Sequence, residues 1–134
     1  MLDTNTCSFI IREKPVQVLE KLQDMVRSGH VITISSITYM ELYYAATIKK
    51  ASPRHVVVVQ EFVERIDEVM SFGASAVEHA ANLREHLFSK GTPIGPNDTL
   101  IAGHALSAGA TLITDNVREF SRVPELKVEN WVFR

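Results

Sequence analysis

The sequence predicts an α/β fold: a three-layer α/β/α sandwich in which a mostly parallel central sheet carries helices on both faces. Two observations predict it. Short β-branched or apolar runs ("VITIS", "EVMSF", "ATLITD") alternate with segments whose apolar residues recur at helical spacing. Strands separated by helices favour a parallel sheet covered on both sides. The chain also has 134 residues, 46% apolar and 22% charged, which suits one domain (residues 1–134) with a proper core.

In chain order, Met1 and Leu2 leave room for only a very short first strand ahead of Asp3. Thr4, Asn5 and Thr6 can cap a helix carrying Phe9, Ile10 and Ile11. Pro15 fits the first turn of a second helix, "PVQVLEKLQDMV", with Val18, Leu19, Leu22, Met25 and Val26 as its apolar residues. "VITIS" is a buried strand, and Ser35 or Ser36 caps the helix after it. On that helix Ile37, Met40, Glu41, Tyr44 and Ile48 share one broad face.

Ser52-Pro53 opens the next helix, striped by Val56, Val59, Val63 and Ile66. "EVMSF" is a strand ended by Gly73. A long helix with Ala76, Ala80, Leu83 and Leu87 follows and stops at Gly91. The loop "GTPIGPND" leads into a small-residue helix in which Gly103 and the alanines at 102, 105 and 108 allow close approach to the sheet. "ATLITD" is a strand, "NVREFSRVPEL" is turn-rich, and "KVENWVF" is a last strand.

In parallel sheets, sites form beyond the carboxyl ends of the strands. Asp3, Glu41, Asp98 and the pair Asp115-Asn116 stand at such positions. Glu41 has Ile37, Tyr44 and Ile48 as its i−4, i+3 and i+7 neighbours, which turns its carboxylate toward an apolar side where an acid needs a partner or a metal. Each acid alone reads equally well as a cap, a turn residue or an edge position. Together they form a cluster of oxygen donors that repels itself unless a cation neutralises it. Hard oxygen donors without histidine or cysteine suit Mg²⁺ or Mn²⁺ rather than zinc. Such an ion suits phosphate chemistry, because it activates a water and offsets charge on phosphate oxygens.

The ordered set "MLDTN", "SSITYMEL", "GTPIGPNDTLIAGHA" and "LITDNVREF" resembles the PIN-domain endoribonucleases and, more narrowly, the VapC toxins of VapBC toxin–antitoxin modules. The resemblance spans essentially the whole chain. It implies a small α/β/α domain that cleaves RNA with Mg²⁺ or Mn²⁺, and it maps three acids of the family onto Asp3, Glu41 and Asp98. The family's fourth metal-site position lies two residues after a threonine. Thr114 makes Asn116 the match in position, with Asp115 beside it as the charged alternative.

The resemblance also implies a homodimer, an inhibitory VapB-like antitoxin, and contact with promoter DNA only through the antitoxin complex. The subgroup carrying "GTPIGPND" is similar to toxins that cut initiator tRNA in its anticodon loop. Many relatives have more residues before the first aspartate. A first strand this short must therefore be covered or paired with short neighbours.

Other phosphoryl-transfer folds fit less well. A haloacid-dehalogenase-like phosphatase needs a second acid two residues after the first, and position 5 is Asn. A response-regulator receiver wants a phosphoacceptor aspartate after a middle strand, and "VITISS" ends in serines. A catalytically dead module would show gaps among the three principal acids, and none is missing.

The formal charge of −2 supplies no global basic field, so RNA contacts must come from local patches. Candidates for a basic rim are Arg12 and Lys14, then Lys49, Lys50 and Arg54, then Arg118 and Arg122. The five histidines lack ligand spacing, with His104 packed beside Gly103 and Cys7 a small buried residue of the first helix. A single cysteine excludes an intramolecular disulfide and suits a reducing compartment. No apolar run approaches the roughly 20 residues that span a bilayer, and no leader pattern opens the chain, so the cytoplasm is expected. The helices over 37–48 and 54–66 offer more apolar surface than one sheet face requires, and the excess suits a partner.

Overall fold

The computed structural model describes residues 1–48 and 53–132. Lys49, Lys50 and Ser52, expected on the basic rim and at a helix start, lie outside the described residues, as does Phe133 of the last predicted strand.

Helices α1 (Thr4–Arg12) and α2 (Val16–Arg27) come first, then strand β1 (Thr33–Ser35) and helices α3 (Ser36–Thr47) and α4 (Arg54–Arg65). Strand β2 (Glu68–Met70), helices α5 (Ala74–Ser89) and α6 (Pro96–Ala108), strand β3 (Leu112–Ile113), helix α7 (Val117–Phe120) and strand β4 (Val128–Glu129) complete the chain. β1 pairs in parallel with β2, setting Ile34 opposite Val69, and β3 pairs in parallel with β4, setting Leu112 opposite Val128.

The first three residues join the two pairs. Leu2 bridges Ile113 in parallel, and its N–H donates to the Thr33 carbonyl at 2.9 Å. Ile113 N–H donates to the Met1 carbonyl at 2.9 Å, and Asp3 N–H donates to the Ile113 carbonyl at 3.0 Å. The order across the molecule is therefore β2, β1, Leu2, β3, β4. The very short first strand is central, and short neighbours on both sides hold it.

Strand alternation divides the core between two layers. Leu2 and Ile113 face a cluster with Ile10, Val18, Leu42 and Phe62 from α1 to α4. Their chain neighbours Met1 and Leu112 face a second cluster with Leu83, Leu87, Ile101 and Phe120 from α5 to α7. That is the three-layer arrangement expected from the sequence.

Several local expectations shift. Asp3 itself caps α1, its Oδ1 accepting from Thr6 N–H at 2.8 Å, so Thr4, Asn5 and Thr6 lie inside the helix. Pro15 is the residue before α2 rather than in its first turn, and Val26 faces solvent while Val18 is buried. Ser35, rather than Ser36, caps α3.

The apolar excess expected on α3 lies on its outward face. Met40, Tyr44 and Ile48 are 50%, 62% and 56% exposed, whereas Thr38, Leu42 and Ala46 are buried. Both faces of this helix carry apolar side chains, so spacing alone could not orient it. Gly103 makes its close approach to α5 instead of the sheet: an added Cβ would stand 2.5 Å from Ala80 Cα. Ala102 and Ala105 are fully buried, and Ala108 is exposed. Among the described residues no helix is long and apolar enough to cross a membrane.

Candidate active site

Three chain segments leave the carboxyl side of the central strands and deliver the acids. Leu2 hands over to Asp3, β1 to α3 with Glu41, and β3 to Thr114 and α7. Helix α6 points its first turn, bearing Asp98, into the same region.

Asp3 is 4% exposed and both its oxygens are engaged. Oδ1 takes the Thr6 N–H, and Oδ2 accepts from the hydroxyl of fully buried Thr114. Thr114 Oγ1 also accepts from Asn116 N–H at 2.9 Å, so one hydroxyl links the end of β3 to both Asp3 and the turn. Burial raises the Asp3 pKa; the bonds from Thr114 and Thr6 oppose that rise, and the nearby Asp115 charge adds to it.

Glu41 is half-buried beside α1 and α6, not within an apolar core. Its Oε1 accepts from Thr4 Oγ1 at 2.5 Å and its Oε2 from Asn97 Nδ2 at 3.2 Å. Both donors are neutral, so the carboxylate is oriented without being cancelled.

Asp98 lies in the first turn of α6, after Gly95 and Pro96, where the helix N-terminus favours an anion. It is not the cap; Gly95 is. An added Cβ at Gly95 would stand 3.4 Å from Asp98 Oδ2, so the carboxylate lies back over that glycine. The Asp98 pKa is raised to about 6, first by burial, then by the charges of Glu119, Glu41 and Asp3, and by a side-chain hydrogen bond with Glu119. Asp98 thus lies within electrostatic reach of the other three acids.

Glu119 is the residue that sequence reasoning missed. Asn116 and Asp115, expected at the fourth position, are placed beside it in different roles. Asn116 Nδ2 donates to Glu119 Oε2 at 2.6 Å and orients it toward Asp98. Asp115 Oδ1 accepts from Asn130 Nδ2 at 3.2 Å, and its charge still reaches Asp3. The available signal was Glu119's place three residues after Asn116, on the same side of a helical turn.

Of the expected basic rim, Arg122 braces the site's own loop, Nη1 donating to the Pro93 carbonyl at 2.9 Å. Arg12 and Arg118 are exposed, and Arg12 lies over the Phe9 ring at 5.4 Å. Among the described residues no lysine or arginine forms an ion pair with Asp3, Glu41, Asp98 or Glu119.

The donor set is therefore all oxygen, mutually repelling and, among the described residues, without a basic partner, which fits a hard divalent cation in chemistry. Among the described residues no three His, Cys, Asp or Glu side chains are gathered tightly enough to hold a metal by themselves.

A PIN-domain family model matches residues 1–126, and the chain belongs to the PIN-domain family. Within it the chain is closely related to the VapC toxins of VapBC toxin–antitoxin systems. It is 44% identical over 131 residues to a tRNA(fMet)-specific endonuclease VapC of Salmonella typhimurium, covering 98% of this chain and 96% of the relative. A VapC of the same description from Shigella flexneri is also 44% identical over the same shares. Among solved structures, VapBC2 from Rickettsia felis, bound to a promoter DNA fragment, superposes with a TM-score of 0.91 at 37% identity, covering 98% of each chain.

Proposed function

We propose that the chain is the toxin ribonuclease of a VapBC-type pair: a divalent-metal-dependent hydrolase that cuts tRNA, with initiator tRNA as target, and that a VapB-like antitoxin restrains. The observation that carries the chemistry is Asp98, pushed up to about 6 by burial and by facing Glu119, Glu41 and Asp3. Structural acids are seldom gathered at such cost; sites that gain a cation are. Support for the substrate and the antitoxin comes from the two VapC relatives named for tRNA(fMet) and from the VapBC structure.

Asp3, Glu41, Asp98 and Glu119 would hold Mg²⁺ or Mn²⁺, with Asn116 and Asp115 supporting through Glu119 and through charge. When bound, the ion supplies an activated water and offsets charge on the phosphate. The chain's part is preorganisation. Thr6 and Thr114 fix Asp3, while Thr4 and Asn97 fix Glu41, so these carboxylates need not reorganise when charge develops. Crowding by Glu119, Glu41 and Asp3 raises Asp98 to about 6, and a bound cation would offset that crowding. A looped RNA suits this open site because unpaired nucleotides can be splayed into it.

The outward apolar face of α3 suits protein contact, either in a homodimer or with the antitoxin, and promoter DNA would be reached only through that complex. The test incubates purified protein with total tRNA in Mg²⁺ or Mn²⁺ and maps new ends. Cleavage should require the metal and fall about 10²-fold or more in Asp98→Asn, the scale of losing one electrostatic catalytic group. Undiminished cutting in EDTA would remove the metal from the proposal.

A further inference from the structure

Helices α3 and α6 carry Glu41 and Asp98, and two side-chain hydrogen bonds tie them together. At the site end Asn97 Nδ2 donates to Glu41 Oε2 at 3.2 Å. At the other end, inside the protein, His104 Nδ1 and Ser35 Oγ stand 2.7 Å apart. Residue numbers rise along α3 from Ser35 to Glu41 while they fall along α6 from His104 to Asn97, so the helices run antipodally between these two ties. Six residues separate each acid from the buried tie (35 to 41, 98 to 104), about 9 Å at 1.5 Å per residue.

The buried pair is built for one arrangement. Ser35 is fully buried and His104 is 2% exposed. Ser35 Oγ already accepts from Ile37 N–H at 3.1 Å as the cap of α3. The same oxygen meets Nδ1 of His104, so one hydroxyl serves both the cap and the imidazole. The Phe72 ring meets the imidazole edge-on, with centroids 5.3 Å apart, and Phe72 N–H donates to Ser36 Oγ at 3.1 Å. Burial lowers the His104 pKa, which keeps it neutral.

We propose that His104 is a positioning residue: through Ser35 it locks the start of α3 to α6 and thereby sets Glu41 against Asn97 and Asp98. The proposal rests on the reading of Glu41 and Asp98 as site acids. A buried polar pair is directional, whereas an apolar pair of equal volume lets two helices slide. The His104–Ser35 tie therefore fixes register between the helices, and the Asn97–Glu41 bond is where that register is felt.

The experiment compares wild type with His104→Leu, which fills the space without the bond, and His104→Asn, whose amide can stand where Nδ1 stood. The first readout, in metal-free protein by nitrogen-edited NMR, is the Asn97 side-chain amide. It should be shifted and slow to exchange in wild type, should move toward a free amide in His104→Leu, and should return in His104→Asn. The second readout is tRNA cleavage with Mn²⁺, where His104→Leu should lower kcat about tenfold with KM unchanged and His104→Asn should recover most of it. Where His104→Leu fails to fold, Ser35→Gly with the same amide readout takes its place. An unchanged Asn97 amide in the folded variant would overturn the proposal whether or not the protein cuts RNA. Failure of wild type to cleave, with the amide behaving as stated, would instead overturn the nuclease reading.

Discussion

Thr114 shows how much one hydroxyl does here. It donates to Asp3 Oδ2 and accepts from Asn116 N–H, with no exposure of its own. Thr114→Val keeps the shape and removes both bonds. It should cost about 1.5–3 kcal/mol in urea unfolding, the scale of a hydrogen bond to a charged group. Asp98 gives a pH prediction. Its ordinary value is 3.8 and the fold raises it to about 6, so between these values the unfolded chain has released a proton that the native protein keeps. Stability of the metal-free protein should therefore be full below about pH 4 and fall as pH rises toward about 6, as thermal melts across that range would show. Asp98→Asn should be more stable than wild type at pH 7 without metal, while losing activity. Melts showing the mutant less stable would mean that its neighbours do not crowd it. Asp3, Glu41 and Asp98 were legible in the sequence because they stand at element ends. Glu119 was not, because an acid on a four-residue helix reads as surface until its neighbours in space are known.

At the scale of elements, α5 and α6 meet most closely at Gly103. An added methyl would lie 2.5 Å from Ala80 Cα and 2.7 Å from Ala80 N, both backbone atoms that cannot swing away. Alanine favours a helix over glycine by about 1 kcal/mol. Overpacking against backbone costs about 1–3 kcal/mol or more. Gly103→Ala should therefore destabilise the fold, read as a lower urea midpoint, and it should disturb Asp98, one and a half turns away on the same helix. A neutral or raised midpoint would show that the helices can separate freely. Helix positions themselves were legible from caps and periodicity, since Ser35, Pro53 and Gly91 stand where the elements change. Orientation was legible only where one face is polar. On α3, apolar residues surround the helix, and the buried set Thr38, Leu42 and Ala46 is less apolar than the exposed one.

For the whole molecule, the exposed apolar side of α3 defines an outward surface. Met40, Tyr44 and Ile48 of α3 and Val57 of α4 are between 48% and 62% exposed. Replacing Tyr44 by Glu should leave the acid cluster and RNA cleavage intact. If α3 meets the antitoxin, the same change should weaken inhibition by a VapB-like protein at least about tenfold, as loss of a central aromatic does at interfaces. Equal inhibition of both proteins would place the antitoxin elsewhere. The layered fold and parallel strands were legible from the alternation of runs, whereas the order across the sheet was not, because pairing partners are far apart in the chain.

That last feature has a consequence in time. Asp3 is made well before the groups that hold it, the Ile113 carbonyl and the Thr114 hydroxyl, Thr114 being 111 positions on. A growing chain therefore carries its first acid unmoored until β3 has emerged, and contacts of such long separation form slowly. A chain that stops short of β3 lacks both of these anchors for Asp3.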